Sequence, residues 1–175
     1  MDINEVGSYA SIFGIIITLI GATTRAGLLT AALRSRFGIV HNIRFYECDE
    51  LVAILHQAAS KLGMGTIDEA SLNCIASRSR GTPRVALRLL RRVRDYSQVR
   101  CDQQINISVV DMALQLEGID DRGLDALDRA YLEILVSIYD GGPVGVEAIA
   151  ATMGEDAGTL QDVVEPYLLQ AGFLA

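Results

Sequence analysis

Between Asp49 and Gly118 the chain is punctuated into four short amphipathic stretches, and no other feature limits its fold so tightly. Asp49 opens a stretch that runs to Leu62, with Gly63 as its stop; Leu51, Leu55, Ala58 and Leu62 recur on one face. Asp68 opens a second, with Leu72, Ile75 and Ala76 inward and Gly81 after its end. Thr82 opens a third, to about Val99, with Val85, Leu89, Val93 and Tyr96 as its apolar stripe. Ser108 with Asp111 resembles a capping box for a fourth, ending near Gly118. Small polar side chains at a helix start accept N–H groups that have no partner in the helix, and glycine past the end takes the left-handed turn. Four such helices predict a small bundle. Half the residues are hydrophobic but only 6% are aromatic and Trp is absent, so packing runs through Leu, Ile, Val and Ala. The expected fold class is mainly α, and 175 residues suffice for one ordinary domain or two or three small ones.

The flanks read differently. Gly118–Gly123 is an acidic linker, followed by a predicted helix over Leu124–Tyr139, a Gly141-Gly142-Pro143 turn, a short helix over Val144–Met153, and a longer one from about Glu155. Pro166 should kink or divide that last helix. Three helices with a tight middle turn suit a helix-turn-helix or winged-helix domain. Yet the helix in the recognition position carries Glu155, Asp156, Asp162 and Glu165 and no base, so it repels a DNA phosphate. At the other end, Tyr9–Thr23 is nearly all apolar. Asp2 and Glu5 precede it where a signal peptide needs bases, and it falls short of the ~20 residues a membrane span needs. A buried parallel strand over Gly14–Gly21 fits it better. A polar turn, a short helix over Leu28–Phe37 stopped by Gly38, and a second strand over Ile39–Phe45 follow. A lone strand of that kind needs sheet neighbours, so the chain reads as the end of something larger.

Charge is unevenly placed. Residues 1–77 carry a net −2, residues 78–100 carry eight Arg against the single acid Asp95, and residues 101–175 carry −12. An overall charge of −7 argues against indiscriminate nucleic-acid binding. Lys61 is the only lysine and no glycine-rich loop precedes it, so no Walker A string exists here and tight triphosphate binding by this chain alone is not expected. Cys48, Cys74 and Cys101 are widely spaced, and His41 and His56 are the only histidines, which leaves no zinc pattern and no metal site to assign. Arg84 is the unusual choice. It follows Pro83 in the first turn of its helix, where a cation faces the positive end of the dipole at a cost of up to ~1 kcal/mol. Two readings stand: the side chain points into water, or an anion at the helix start offsets the cost.

With these pieces in place, four ordered strings resemble the RuvB family of AAA+ motors: Thr18–Gly27 (TLIGATTRAG), Leu33–Gly38 (LRSRFG), Arg80–Arg84 (RGTPR) and Glu165–Leu174 (EPYLLQAGFL). In order and spacing they cover roughly residues 18–175. The resemblance implies the end of an AAA+ α/β ATPase core over 1–45 (with 1–17 not matching), a helical lid over 46–117, and a winged-helix domain over 118–175 whose wing is missing. It implies Thr24 as sensor 1, Arg36 as an arginine finger acting in trans, and Arg84 as sensor 2. Such fingers stabilise charge on a transferring phosphoryl group and are worth ~10³–10⁵ in rate elsewhere. It further implies Tyr46 and Pro83 as lining an adenine pocket. DNA-contacting residues are not assigned; Arg88, Arg91, Arg92 and Arg94 read first as solvated faces or ion-pair partners.

The implied function is ATP-dependent branch migration of Holliday junctions, as a fragment that carries sensing and trans-acting parts. ATP or ADP and Mg²⁺ belong to the intact family, with none expected to bind this chain tightly by itself. The implied partners are a homohexamer, RuvA, RuvC and junction DNA, in a bacterial cytoplasm and away from membranes. The family's Walker motifs, its RuvA-docking hairpin and its basic wing have no counterpart in this sequence. Two other classes fit the residues: the corresponding segment of another AAA+ machine such as a clamp loader, or a non-enzymatic helical module that binds DNA or protein.

Overall fold

The computed structural model describes residues 20–23, 27 and 29–175, which fall into two units divided between Ile43 and Arg44. Among the described residues all regular structure is helical. In the first unit, α1 spans Ala31–Arg34, with the Thr30 Oγ1 accepting from the Leu33 N–H at 3.3 Å. It is shorter than the predicted Leu28–Phe37, of which Leu28 lies outside the described residues. The reason is local: Arg36 and Phe37 donate to the carbonyls of Leu33 and Arg34, three residues back, which tightens the last turn and ends it. The strand predicted over Ile39–Phe45 is not formed; these residues lie in no ladder, and Ile39, Val40 and Ile43 are 77%, 68% and 88% exposed. Branched side chains favour a strand only where a paired edge and a covered face exist. Of the strand predicted over Gly14–Gly21, residues 14–19 lie outside the described residues, and Ile20 and Gly21 are irregular.

The second unit holds two hydrophobic cores. The first is enclosed by α2 (Cys48–Lys61), α3 (Glu69–Ser77), α4 (Pro83–Arg100) and α5 (Ile107–Leu116). Leu51, Leu55, Leu72, Ile75, Leu89, Leu90, Val93, Val110 and Leu114 fill it. Each buried Leu, Ile or Val is worth about 1.5–3 kcal/mol relative to exposure, and this sets the bundle against its chain entropy. On α4 the buried line is Ala86, Leu89, Leu90 and Val93, while Val85 and Tyr96 of the predicted stripe pack only at the margin.

The start signals needed correction in three places. Asp68 caps α3 as predicted, its Oδ1 accepting from the Ser71 N–H at 2.7 Å. The cap of α2, however, is Glu47 in a reciprocal box with Glu50, and Asp49 lies within the first turn, where its charge suits the dipole. The cap of α5 is Asn106, not Ser108; its Oδ1 accepts from the Val109 N–H at 3.1 Å. Thr82 holds the cap position of α4 but its hydroxyl donates back to the Arg80 carbonyl at 3.1 Å. Arg80 and Gly81 both take positive φ, 54° and 62°, and the resulting turn brings that carbonyl within reach.

The second core is built by α6 (Ala126–Ser137), α7 (Val146–Met153), α8 (Ala157–Thr159), a π-helical turn over Leu160–Val164, and α9 (Glu165–Gln170). Tyr131, Leu135, Ile149, Leu160, Val164 and Leu168 occupy it. Pro166 divides the last helix as its chemistry requires: it lies in the first turn of α9, directly after the π-helical turn. The predicted acidic linker at 118–123 is a tight, packed turn. Asp120 Oδ1 accepts from the N–H groups of Arg122 and Leu124, both at 2.9 Å, and Ile119 and Gly123 are buried.

Candidate functional site

The loop that connects α3 to α4 is held by backbone contacts from a segment 35 residues earlier. The Tyr46 N–H donates to the Gly81 carbonyl at 2.8 Å. Gly81 has no room for a side chain: a Cβ would stand 2.8 Å from the Phe45 Cβ, 3.1 Å from the Gln170 amide nitrogen and 3.2 Å from the Tyr46 carbonyl oxygen. Its φ of +62° also suits glycine. This clasp sets Tyr46 beside the start of α4, where Pro83 opens the helix and Arg84 follows in the first turn. The Tyr46 side chain stays accessible, the residue being 42% exposed. Arg84 is exposed, and among the described residues no acid shares its turn and no carboxylate pairs with it. The sequence-predicted residues Tyr46, Pro83 and Arg84 therefore converge on one helix end. Arg36 lies in the first unit, exposed, in the turn after α1. Thr24 lies outside the described residues.

Of the remaining arginines on α4, Arg92 stands 3.4 Å from Glu117 and Arg94 2.8 Å from Asp95, whereas Arg88 and Arg91 are exposed. Among the described residues no group of His, Cys, Asp and Glu is placed to hold a metal ion, and no helix is long and apolar enough to cross a membrane.

Sequence reasoning missed Arg80. Its side chain is only 15% exposed and reaches from the loop into the second core's first turn. Nε donates to the Gly123 carbonyl at 3.0 Å, and one terminal nitrogen donates to Asp125 Oδ2 at 2.8 Å and to Asp128 Oδ2 at 2.5 Å. The guanidinium lies 4.9 Å from the centre of the Tyr167 ring. Asp125 and Asp128 also form the capping box of α6, so the helix start and the ion cluster share their acids. Asp128 is fully buried and its Oδ1 has no hydrogen-bond partner. Burial pushes its carboxyl above the ordinary range against the pull of the Asp125 N–H and Arg80. Burial acts upward on Asp125 as well, but the Asp128 N–H and Arg80 outweigh it and hold that carboxyl low. Arg80 pulls both carboxyls down, so the two differ because burial prevails at Asp128 while hydrogen bonds and Arg80 prevail at Asp125. Beside the cluster a cleft of about 250 Å³ opens between the two cores, lined by Tyr46, Leu51, Ser77, Arg80, Tyr167 and Gln170.

A four-helix lid whose α3–α4 loop feeds an arginine-led helix, joined to a compact second helical domain, defines the lid and winged-helix end of an AAA+ protein. Residues 46–120 match the RuvB AAA lid domain and residues 121–175 the RuvB C-terminal winged helix domain. The chain belongs to the RuvB family. The solved Thermotoga maritima RuvB Holliday junction branch migration motor shares 49% identity over 98% of this chain, with a TM-score of 0.85. Two single-residue variants of T. maritima RuvB match at 51% identity over 87% of the chain (TM-score 0.82) and 48% over 98% (TM-score 0.85). The chain spans 58% of the length of the first of these structures, and 50% and 59% of the other two.

Proposed function

We propose that this chain supplies the nucleotide-sensing lid and the winged-helix domain of an ATP-driven motor that migrates four-way DNA junctions. The observation that carries the proposal is the Tyr46–Gly81 clasp, which gathers Tyr46, Pro83 and the unpaired Arg84 at the positive end of α4. An accessible aromatic face and a helix start with a free guanidinium fit a purine nucleotide: the ring meets the base, and Arg84 with the first-turn N–H groups meets phosphate oxygens. Arg84 then acts as sensor 2 and Tyr46 and Pro83 line the adenine. Arg36 acts as the finger on a neighbouring subunit's nucleotide, and Thr24 as sensor 1. Hydrolysis of ATP with Mg²⁺ supplies the driving chemistry when bound. This sequence holds no Walker A string, so the phosphate cradle and the Mg²⁺ ligands would come from a complete motor core. Residues 1–45 belong with that core, 46–117 with the lid and 118–175 with the winged helix. Homohexamer formation, RuvA, RuvC, junction DNA and a bacterial cytoplasmic setting complete the proposal.

The test places residues 20–175 of this chain in the matching half of T. maritima RuvB and measures nucleotide binding and ATP turnover. Arg84→Ala should weaken nucleotide binding in its own subunit. Arg36→Ala should spare binding and abolish turnover at the adjacent site, by roughly a thousandfold or more given the usual worth of a finger. Mixing Arg36→Ala subunits with subunits whose own nucleotide site is dead should then restore part of the activity at mixed interfaces. Co-assembled mixtures that recover nothing would remove Arg36 from the finger role and pass it to Arg34.

A further inference from the structure

We infer that Arg80 is the positioning residue that fixes the winged-helix domain to the phosphate-facing end of α4, so that the two turn as one body. Arg80 sits four residues before Arg84, in the same loop that Tyr46 clasps. Every polar contact of its side chain crosses to the second core: Gly123, Asp125 and Asp128, which lie 43, 45 and 48 residues further along the chain. Its flat face meets Tyr167, whose hydroxyl in turn donates to the Arg122 carbonyl at 2.5 Å. The joint is also tight on the backbone side. A Cβ on Gly123 would stand 3.0–3.2 Å from the Arg78 main chain, so the turn into α6 lies directly on the end of α3. A planar cation with forked donors fixes orientation as well as distance, whereas a point charge fixes distance alone. The buried, half-satisfied Asp128 makes the arrangement selective. Removing Arg80 strands a buried carboxylate beside an acceptor that already lacks a partner, so the domain must separate or shift to reach water. Any displacement of the helix end that carries Arg84 is thereby passed to the winged helix without slack.

This inference concerns the joint alone and needs no nucleotide, so its failure leaves the nucleotide proposal standing, and the reverse. The experiment uses the full chain with Cys48, Cys74 and Cys101 replaced by serine and spin labels introduced as cysteine pairs. The pair at Gln57 and Ala151 spans the joint; the pair at Gln57 and Gln98 lies within the lid. Both positions of each pair are exposed. The parent should give narrow distance distributions for both pairs. Arg80→Ala should at least double the width for the spanning pair and leave the lid pair narrow. If both pairs stay narrow, the inference is overturned. If Arg80→Ala unfolds the lid and both pairs broaden, Arg80→Lys decides. Lysine keeps a positive charge near Asp128 but loses the fork to Gly123 and the face on Tyr167. A broadened spanning pair in Arg80→Lys supports the inference, and an unchanged one overturns it.

Discussion

At the scale of single residues, Gly81 has the tightest would-be Cβ contact among the described glycines. An alanine there meets two separate penalties. A side chain at positive φ costs about 1–2 kcal/mol, and forcing a Cβ against the Phe45 Cβ and the Tyr46 backbone adds roughly 1–3 kcal/mol of overpacking. Gly63 isolates the first penalty, since it has φ +65° and open space around its would-be Cβ. Urea denaturation should therefore show Gly63→Ala losing about 1 kcal/mol and Gly81→Ala about 2–4 kcal/mol. Equal losses would mean that the clasp yields freely and does not hold Tyr46 in place. The same neighbourhood shows what a sequence discloses about a site. Pro83 and Arg84 stand out because their fitness for a first helical turn is a local matter, one suited and the other opposed. Arg80 did not stand out, although it stands in the same string. Its partners lie more than forty residues away, and its burial comes from the second core folding over it. An arginine within an arginine-rich stretch carries no local mark of that fate.

At the scale of elements, helices were legible and their exact starts less so. Glycine stops and three-and-four spacing identify α2 to α5 because both depend on a few consecutive residues. Caps depend on which of several neighbouring polar side chains reaches back. At α2 and α5 the residue two positions earlier did so. The Ile39–Phe45 strand failed for the opposite reason: it needs a partner edge, and composition supplies only the willingness to form one. Asp68 offers a clean test of a cap that the sequence marked correctly. Hydrogen bonds from the Ser71 N–H, and next from its hydroxyl, hold the Asp68 carboxyl below the ordinary range. A depressed folded value means that the ionised cap stabilises the fold above the unfolded pKa of about 3.9, and that this contribution is lost as pH falls through the folded value. Asp68→Asn removes the titration but keeps one accepting oxygen. The stability advantage of the parent over Asp68→Asn should be largest above pH 5 and should shrink towards pH 3 in urea melts. An advantage that does not change with pH would show that the charge contributes nothing beyond the hydrogen bond.

At the scale of the whole molecule, the division between Ile43 and Arg44 falls just ahead of the contacts that matter to the lid. Both hydrophobic cores are assembled from residues 51–174. Arg44 pairs with Glu50 at 2.8 Å, Glu47 completes the α2 capping box, and the Tyr46 N–H clasps Gly81. A chain that begins at Arg44 retains all of these; one that begins at Cys48 loses them together. The first truncation should melt within about 0.5 kcal/mol of the full chain and be more soluble, since it sheds the apolar Tyr9–Thr23 stretch and the exposed Ile39, Val40 and Ile43. The second should lose about 1–3 kcal/mol, from a missing cap box and an unpaired Gly81 carbonyl. The difference between the two truncations, read by thermal and urea melts side by side, measures what four residues contribute to holding the start of α4. If both melt alike, the clasp follows from a loop that is already fixed by Arg80 and its acids. The order of cause at the helix end would then run from the winged helix towards Tyr46 rather than from Tyr46 outward.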